Sequence, residues 1–268
     1  MEARRGYTNY LHLILIMVLI GSRAIRYWFD DFKRHPKDYD YVVEDKPDKI
    51  ENTEFLIIPD LYKSYHTHSV LPADAIYTLK ISHISWDIKW DKHISDIIFL
   101  KSKGCKVIKS LFYDLYKYWC QYHRNIRRPD FDKPNTEFFN DVVARDYPHD
   151  LLHEIVMYDS QPMFNLIKGD LNSADISESL FINLTQESKI NVVREEAYVI
   201  ALERFLIPGI ISNPTIAYNR ALKLLITRLS PIWLVLFIVD NYIQLYKPNI
   251  DFYKKFKNYE LQRNFEQA

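Results

Sequence analysis

Two aspartates, Asp38 and Asp40, are the residues of this chain best suited to chemistry. They stand two apart in Asp38-Tyr39-Asp40-Tyr41-Val42-Val43, a segment whose residues predict a β-strand. Side chains two apart on a strand project from the same face, so these carboxylates lie side by side. Adjacent carboxylates repel unless a cation lies between them, and Mg²⁺ accepts such oxygen ligands while it keeps phosphate oxygens as others. Asp38 and Asp40 are therefore the predicted Mg²⁺ ligands.

A small-residue turn precedes the aspartate pair. Gly21-Ser22 ends the apolar run from Ile14 to Ile20 and opens a helix-prone segment. Exposed backbone N–H groups at the start of a helix bind phosphate. Gly21 and Ser22 are therefore candidate nucleotide-binding residues, and the succession of strand, turn, helix and strand predicts nucleotide chemistry.

The composition predicts a folded protein with no general attraction to nucleic acid. The 268 residues suffice for one large domain or two modest ones. A hydrophobic content of 48% and an aromatic content of 15% exclude an intrinsically disordered chain. The formal net charge is +0, from 35 basic and 35 acidic side chains, so strong non-specific binding to nucleic acid is not expected.

The N-terminus imitates a secretory signal peptide. Arg4 and Arg5 precede the apolar run from Leu11 to Ile20. The triplet Ser22-Arg23-Ala24 follows it, with small residues at its first and third positions, as at a signal-peptide cleavage site. The run is too short to span a bilayer as a helix. Cleavage after the triplet would separate the aspartate pair from its phosphate-binding turn. We therefore expect a cytoplasmic protein without a membrane partner, in which residues 1–12 are a loosely attached extension.

The segments after Val43 predict a third strand followed by helices. The strand is Glu54 to Ile58, and a loop is expected from Leu61 to Val70. A helix begins at Pro72, and helical spacing of apolar residues predicts two more, from Asp91 to Lys103 and from Ile108 to His123.

A basic, proline-bearing segment from Arg124 to Pro134 predicts a domain boundary. The expected domains are residues 1–125 and a mostly helical part, residues 130–268. The predicted helices of the second part are Thr136 to Ala144, Pro148 to Met157, Ser188 to Leu206, Asn213 to Thr227 and Pro231 to Tyr246. The last contains an apolar stretch that is too short for a membrane span, which predicts a buried core helix.

Gly21-Ser22, a spacer and Asp38-Tyr39-Asp40-Tyr41 together resemble the signature of the nucleotidyltransferase superfamily, which includes polymerase beta and antibiotic-modifying enzymes. In that signature an apolar strand leads into Gly-Ser or Gly-Gly, and an Asp-x-Asp pair follows on the next strand. The spacer here is longer than usual. Leu79-Lys80 and the segment from Trp90 to Leu100 are similar to the lysine and the charged helix of the same superfamily.

This resemblance implies an α+β fold: a nucleotidyltransferase-like mixed β-sheet with flanking helices, followed by a C-terminal helical domain. It also implies Mg²⁺-dependent transfer of a nucleotidyl group from a nucleoside triphosphate to a protein, an RNA end or a small molecule. Asp38 and Asp40 would hold the metal, and Ser22 and Lys80 would contact phosphates. The expected third carboxylate lies on a neighbouring strand, where Asp60 is the positional candidate.

The whole chain also resembles an uncharacterised family of phage and large-DNA-virus proteins, which implies a viral protein in the host cytosol. The segments that carry this resemblance are Ala75 to His83, Trp86 to Trp90, Lys101 to Cys105, His149 to Glu154, and Arg194-Glu195-Glu196 with Glu203-Arg204. The family has no assigned activity, so the resemblance bears on architecture rather than on chemistry.

Two other functions fit the sequence. Asp60 follows its strand and adjoins a proline, which favours a catalytically degenerate protein that binds a nucleotide or a host protein. Alternatively, His149 and His153 lie four apart on one helical face, and Glu196 and Glu203 share another, as in a metal-dependent hydrolase. The same four residues are also explained without a metal, as a buried polar network that holds two helices in register.

Overall fold

The computed structural model describes residues 17–124 and 178–248, together with residues 254, 257 and 258. The chain divides into two compact units, Met1–Ile126 and Arg127–Ala268. The architecture is mixed α+β and mostly helical. The elements of the first unit are β1 (Val18–Ile20), α1 (Gly21–Trp28), β2 (Tyr39–Val43), β3 (Thr53–Ile57), α2 (Pro59–Tyr65), α3 (Ala73–His83), α4 (Trp90–Ser102) and α5 (Lys109–Tyr122).

A three-stranded mixed sheet in the order β1-β2-β3 forms one layer of the first unit. Strand β1 is antiparallel to β2, with Ile20 opposite Asp40, and β3 is parallel to β2, with Glu54 opposite Asp40. Paired residues of neighbouring strands project from the same face. This register therefore places Glu54 beside Asp40.

Aromatic rings occupy the opposite face of the sheet. The rings of Tyr39 and Tyr41 stack with centroids 6.2 Å apart, and those of Tyr41 and Phe55 stack at 6.3 Å. The alternation along β2 thus separates an aromatic face from an acidic one, as the period of two requires.

Helix α3 is the centre of the first unit. Eight consecutive residues, from Ala75 to Ser82, are buried, because α1, α4 and α5 all pack against this helix. A helix that is buried on every side shows no amphipathic stripe. Its polar residues must therefore find partners inside the protein, and Lys80 is one of them.

The helices predicted from Pro72, from Asp91 to Lys103 and from Ile108 to His123 are confirmed, with boundaries that shift by one residue or so. The loop predicted from Leu61 to Val70 is wrong in its first half, because α2 begins at Pro59. Proline is pre-organised for the first position of a helix, and α2 is stabilised by the burial of Leu61 and Tyr62.

The described part of the second unit is helical. It contains α6 (Glu178–Asn183), α7 (Gln186–Ala201), α8 (Pro214–Leu224), α9 (Ile232–Asp240) and α10 (Tyr242–Leu245), and π-helical turns extend α7 and α8 over Leu202–Leu206 and Leu225–Leu229. Side chains of Thr185 and Asn213 cap the starts of α7 and α8. The predicted helices over this part are confirmed, although the last is divided into α9 and α10.

Helix α9 carries the apolar stretch of the second unit. Leu234, Val235, Ile238 and Val239 are buried in it, which confirms the predicted core helix. No helix among the described residues has both the length and the apolar character needed to cross a membrane.

Candidate functional site

One cavity in the first unit collects acidic, basic and aromatic side chains. Its volume is about 240 Å³. The polar and aromatic residues that line it, with Gly21, are Asp38, Asp40, Glu54, Lys80, His83, Lys89, Lys92, His93, Trp119, Tyr122 and His123. The cavity therefore contains four of the predicted site residues, namely Gly21, Asp38, Asp40 and Lys80.

Three carboxylates share the wall formed by the sheet. Asp38 immediately precedes β2, two residues before Asp40, and Glu54 lies opposite Asp40 on β3. Burial raises the pKa of Asp40, and the negative charges of Asp38 and Glu54 raise it further, whereas Lys80 and Lys92 oppose the shift. The three carboxylates are thus close enough to repel one another, and such an arrangement favours a bound cation.

Helix α1 anchors the start of β2 beside this wall. Arg23 donates a hydrogen bond of 2.8 Å from its Nε to the backbone carbonyl of Asp38. Its guanidinium also lies 3.6 Å from the centre of the Tyr39 ring. The position of Asp38 is therefore determined by the helix that follows Gly21.

Gly21 allows the turn between β1 and α1 to touch Asp40. Its φ is +68°, a left-handed conformation that glycine adopts without strain. A Cβ atom at this position would clash with Asp40 Oδ2 and would lie 2.8 Å from Asp40 Cγ. Glycine is thus required both by its backbone conformation and by the close approach of the carboxylate.

Ser22 is buried, with 1% of its surface exposed. Its Oγ has no hydrogen-bond partner within the described residues, and Ser22 does not line the cavity. The structure therefore brings Gly21 of the predicted turn to the site but not the Ser22 side chain, whose contact with phosphate stays a prediction.

Lys80 reaches the cavity from the buried helix α3 while it pairs with Asp96 of α4. Lys80 Nζ lies 3.0 Å from Asp96 Oδ2, and Arg34 donates to both oxygens of the same carboxylate, at 3.1 and 2.5 Å. Burial lowers the pKa of Lys80, and the charge of Asp96 opposes that shift. Asp96 thus keeps a buried cation in place at the edge of the site.

Lys89 and Lys92 supply further positive charge. Within the described residues neither forms an ion pair. Lys89 and the nearby Asp87 have positive φ angles of 51° and 59°, which are unusual for residues other than glycine. This turn carries Lys89 on the cavity wall.

Three histidines that no sequence motif singled out also line the cavity, namely His83, His93 and His123. His83 Nε2 lies 2.7 Å from His123 Nε2, and His83 Nδ1 lies 3.4 Å from His93 Nε2. Burial lowers the pKa of His83 to about 3 and that of His93 to about 2, and the positive charge of Lys80 adds to both shifts. The rings come from the ends of α3 and α5 and from α4, so no local sequence pattern could group them.

An aromatic wall comes from the C-terminal end of α5. Trp119, Tyr122 and His123 follow the spacing of three and four that places side chains on one helical face. Trp119 Nε1 donates to Ser82 Oγ at 3.0 Å, which fixes the indole, whereas Tyr122 is 54% exposed. Flat aromatic surfaces of this kind stack on nucleobases.

Asp60, the predicted third carboxylate, does not line this cavity. It lies in the first turn of α2 and lines a second cavity of about 170 Å³, together with Ser64, Asp114 and Tyr118. Glu54 stands on the neighbouring strand where the third carboxylate was expected. The only signal for Glu54 in the sequence was its place at the start of the third predicted strand. The parallel register of β2 and β3 is what places it beside Asp40.

Only part of the second predicted site, the metal site of the hydrolase interpretation, lies within the described residues. His149 and His153 lie outside the described residues, as do the helices predicted from Thr136 to Ala144 and from Pro148 to Met157. Glu196 and Glu203 are buried in α7 and its π-helical extension, and both interact with other groups of the chain. The hydrolase site therefore stays a prediction.

The cavity wall that carries Asp38, Asp40 and Glu54, named here the carboxylate wall, suits Mg²⁺ better than a metal that is bound by protein ligands alone. Among the described residues, no three His, Cys, Asp or Glu side chains converge closely enough to hold a metal ion. Magnesium in phosphate sites needs only one or two carboxylates, because substrate phosphates and water complete its octahedron. Asp38 and Asp40 fit this donor set, since their oxygens are hard ligands and since burial, followed by the charge of Asp38, raises the pKa of Asp40.

Comparison with known proteins gives two matches to family models. A domain of unknown function (DUF7277) matches residues 17–101, and another domain of unknown function (DUF7275) matches residues 75–260, which is more than half of the chain. The two matches overlap over α3 and α4, which carry Lys80, His83 and His93. No curated protein and no solved structure matches the chain. The chain belongs to the DUF7275 family.

Proposed function

We propose that the cavity binds a nucleoside triphosphate with Mg²⁺ and that the protein transfers the nucleotidyl group to an acceptor. One observation carries this proposal: Asp40 and Glu54 pair on one face of the sheet, and Asp38, just before β2, lines the same cavity as they do beside the Gly21 turn. This arrangement supports the nucleotidyltransferase-like interpretation of the sheet and its flanking helices. The setting that we propose is a viral infection, with the protein in the cytosol of the host.

The other cavity residues supply complementary contacts to such a substrate. Lys89 and Lys92 attract the polyphosphate as point charges, since no described carboxylate pairs with them. Tyr122, which is 54% exposed, offers an aromatic face to the base. A base, a polyphosphate and a cation therefore each find a matching group in the same cavity.

In this proposal the residues of the chain hold the metal ion and orient the substrate. Asp38 and Asp40 hold the Mg²⁺, which when bound stabilises the negative charge that develops on the transferred phosphate. Glu54 keeps the carboxylate wall negative beside Asp40. Lys80, fixed by Asp96, keeps a positive group at the opposite edge. The acceptor is a hydroxyl or phosphate of a protein, an RNA end or a small molecule.

Labelling with α-labelled nucleotides tests the proposal. The protein is incubated with Mg²⁺ and each α-labelled nucleoside triphosphate, alone and with host-cell extract, and labelled products are separated by electrophoresis and chromatography. The wild-type protein is expected to label itself or a component of the extract. The double variant Asp38→Ala with Asp40→Ala is expected to lose all labelling, because it removes both metal ligands.

The matched control is Asp45→Ala with Asp48→Ala, which removes two exposed aspartates outside the cavity and is expected to label at the wild-type rate. Unchanged labelling in the Asp38 and Asp40 double variant would contradict the proposal. Saturable nucleotide binding without any labelled product would instead indicate the nucleotide-binding protein without transfer activity.

Glu54→Gln is expected to lower the rate of transfer by about 100-fold, a loss that misplacement of a metal ligand commonly causes. The reason is that the substitution removes the negative charge that β3 places beside Asp40. Initial rates of label transfer measure the effect. Asp60→Asn is the control and is expected to keep the wild-type rate, and a loss with Asp60→Asn but not with Glu54→Gln would assign the third carboxylate to Asp60.

A further inference from the structure

We propose that His93, His83 and His123, named here the imidazole chain, form a proton relay that accepts the proton of the acceptor hydroxyl. This inference rests on the proposed function. All three rings line the cavity of the carboxylate wall. Hydrogen bonds connect them in series, from His93 Nε2 to His83 Nδ1 at 3.4 Å and from His83 Nε2 to His123 Nε2 at 2.7 Å.

The hydrogen bonds determine where the protons of the imidazole chain lie. Three neutral imidazoles carry three protons on six ring nitrogens. Each of the two contacts needs one proton between a donor and an acceptor, so the third proton lies at one end of the chain. The nitrogen at the other end then has a free lone pair. A proton accepted there moves each proton along by one contact, and the chain then carries one positive charge until the proton returns by the same route.

The end of the imidazole chain at His93 is closed to substrate and to water. His93 Nδ1 is buried and has no hydrogen-bond partner within the described residues. A buried ring nitrogen without a partner costs folding free energy, which a role in proton transfer would explain. The acceptor hydroxyl therefore meets the chain at its other end, the Nδ1 atom of His123, next to the exposed Tyr122.

Burial and nearby positive charge keep the imidazole chain neutral in the free protein, and a bound anion makes it more basic. Burial and nearby positive charge hold the pKa of His83 at about 3 and that of His93 at about 2. A polyphosphate in the cavity adds negative charge, which raises both pKa values towards the range in which imidazole accepts a proton at neutral pH. The charged groups that face the chain in the cavity are Lys80, Lys89, Lys92, Asp38, Asp40 and Glu54.

Proton transfer through the imidazole chain balances the proposed reaction. The O–H bond of the acceptor breaks, and its proton moves to the free lone pair of the chain. The acceptor oxygen forms a bond to the α-phosphorus. The bond from that phosphorus to the oxygen bridging the α- and β-phosphates breaks, and pyrophosphate leaves with the electron pair. The proton stays on the imidazole chain until pyrophosphate has left and then returns through His123 Nδ1 to water.

Packing alone would not require the rings to be joined in series. The rings of His83 and Trp119 lie 4.3 Å apart and those of Trp119 and His123 lie 5.5 Å apart, so the histidines also stabilise the aromatic wall. His83 is nevertheless the central member, because both hydrogen bonds of the chain pass through it. An asparagine there retains polar groups but cannot pass a proton between two nitrogens of one ring.

His83→Asn tests the relay. It is expected to lower kcat for label transfer by about 100-fold, as for loss of general base catalysis, while KM for the nucleotide changes little. Added imidazole is expected to restore part of the rate, because it supplies the missing proton acceptor. The control His68→Asn, an exposed histidine outside the cavity, is expected to behave as wild type. A full rate with His83→Asn and His123→Asn, or a loss that imidazole does not restore, would overturn the relay.

Nitrogen NMR of the histidine rings in the free protein separates the relay from the proposed function. The relay predicts a coupling between the Nε2 nuclei of His83 and His123 across their shared proton, and neutral His83 and His93 rings down to about pH 5. Absence of the coupling, or independent titrations near about pH 6.5, would overturn the relay even in a protein that transfers nucleotides. A wild-type protein with the coupling but without transfer to any acceptor would overturn the proposed function instead.

Discussion

Gly21→Ala is expected to lower nucleotide transfer by about 100-fold or more, a loss that misplacement of reacting groups commonly causes. The added Cβ would clash with Asp40 Oδ2 and lie 2.8 Å from its Cγ, so the carboxylate must rotate away or β2 must move. Either change displaces a predicted metal ligand. Alanine also resists the φ of +68°, which costs about 1 kcal/mol of stability or more. Label-transfer rates and urea denaturation measure the two effects.

Gly104→Ala is the matched control for Gly21→Ala. Gly104 also has a positive φ, +84°, but a Cβ atom there meets nothing within 4 Å. The control therefore carries the conformational cost without the clash and is expected to lose about 1 kcal/mol of stability but no transfer activity. Equal losses of activity in the two variants would show that the contact between Gly21 and Asp40 has no role in the reaction.

Asp96→Asn is expected to lower the free energy of unfolding of the first unit by about 3 kcal/mol, because breaking a buried ion pair leaves a charge uncompensated. The Asp96 side chain is 1% exposed and pairs with the buried Lys80, while Arg34 binds both of its oxygens. The variant leaves Lys80 without its negative partner. Urea denaturation followed by tryptophan fluorescence measures the loss, since four of the five tryptophans lie in the first unit.

Asp31→Asn is the control for the buried ion pair. It removes the partner of Lys103 in a pair whose aspartate side chain is 63% exposed, and exposed pairs contribute little to stability. The expected unfolding midpoint is that of the wild type. A midpoint for Asp96→Asn as high as that of Asp31→Asn would contradict a structural role for the buried triad of Arg34, Asp96 and Lys80.

The helices were the most predictable part of the fold. Apolar spacing and terminal residues are local signals, and they placed the start of α3 and both ends of α4 and α5 within one residue of their observed bounds. Helix α2 was missed because it has only seven residues and buries only two of them, Leu61 and Tyr62, which is too short a pattern for helical periodicity.

The candidate site was predictable only where its geometry is local. Asp38 and Asp40 share a face because they are two apart on one segment, and Gly21 begins the helix that follows β1. Glu54 joins them only through the parallel pairing of β2 with β3. The register of a parallel pair depends on a crossover and its packing, which the sequence of either strand does not contain.

The sequence by itself determined most of the long helices and the aspartate pair, because both follow from spacings of two to four residues along the chain. Only the tertiary structure decided that Glu54, rather than Asp60, completes the carboxylate wall. It also decided that His83, His93 and His123 meet in one cavity, since the packing of α3, α4 and α5 brings them together across up to 40 residues of sequence. Contacts over such separations depend on how buried surfaces fit one another, which no short pattern of residues records.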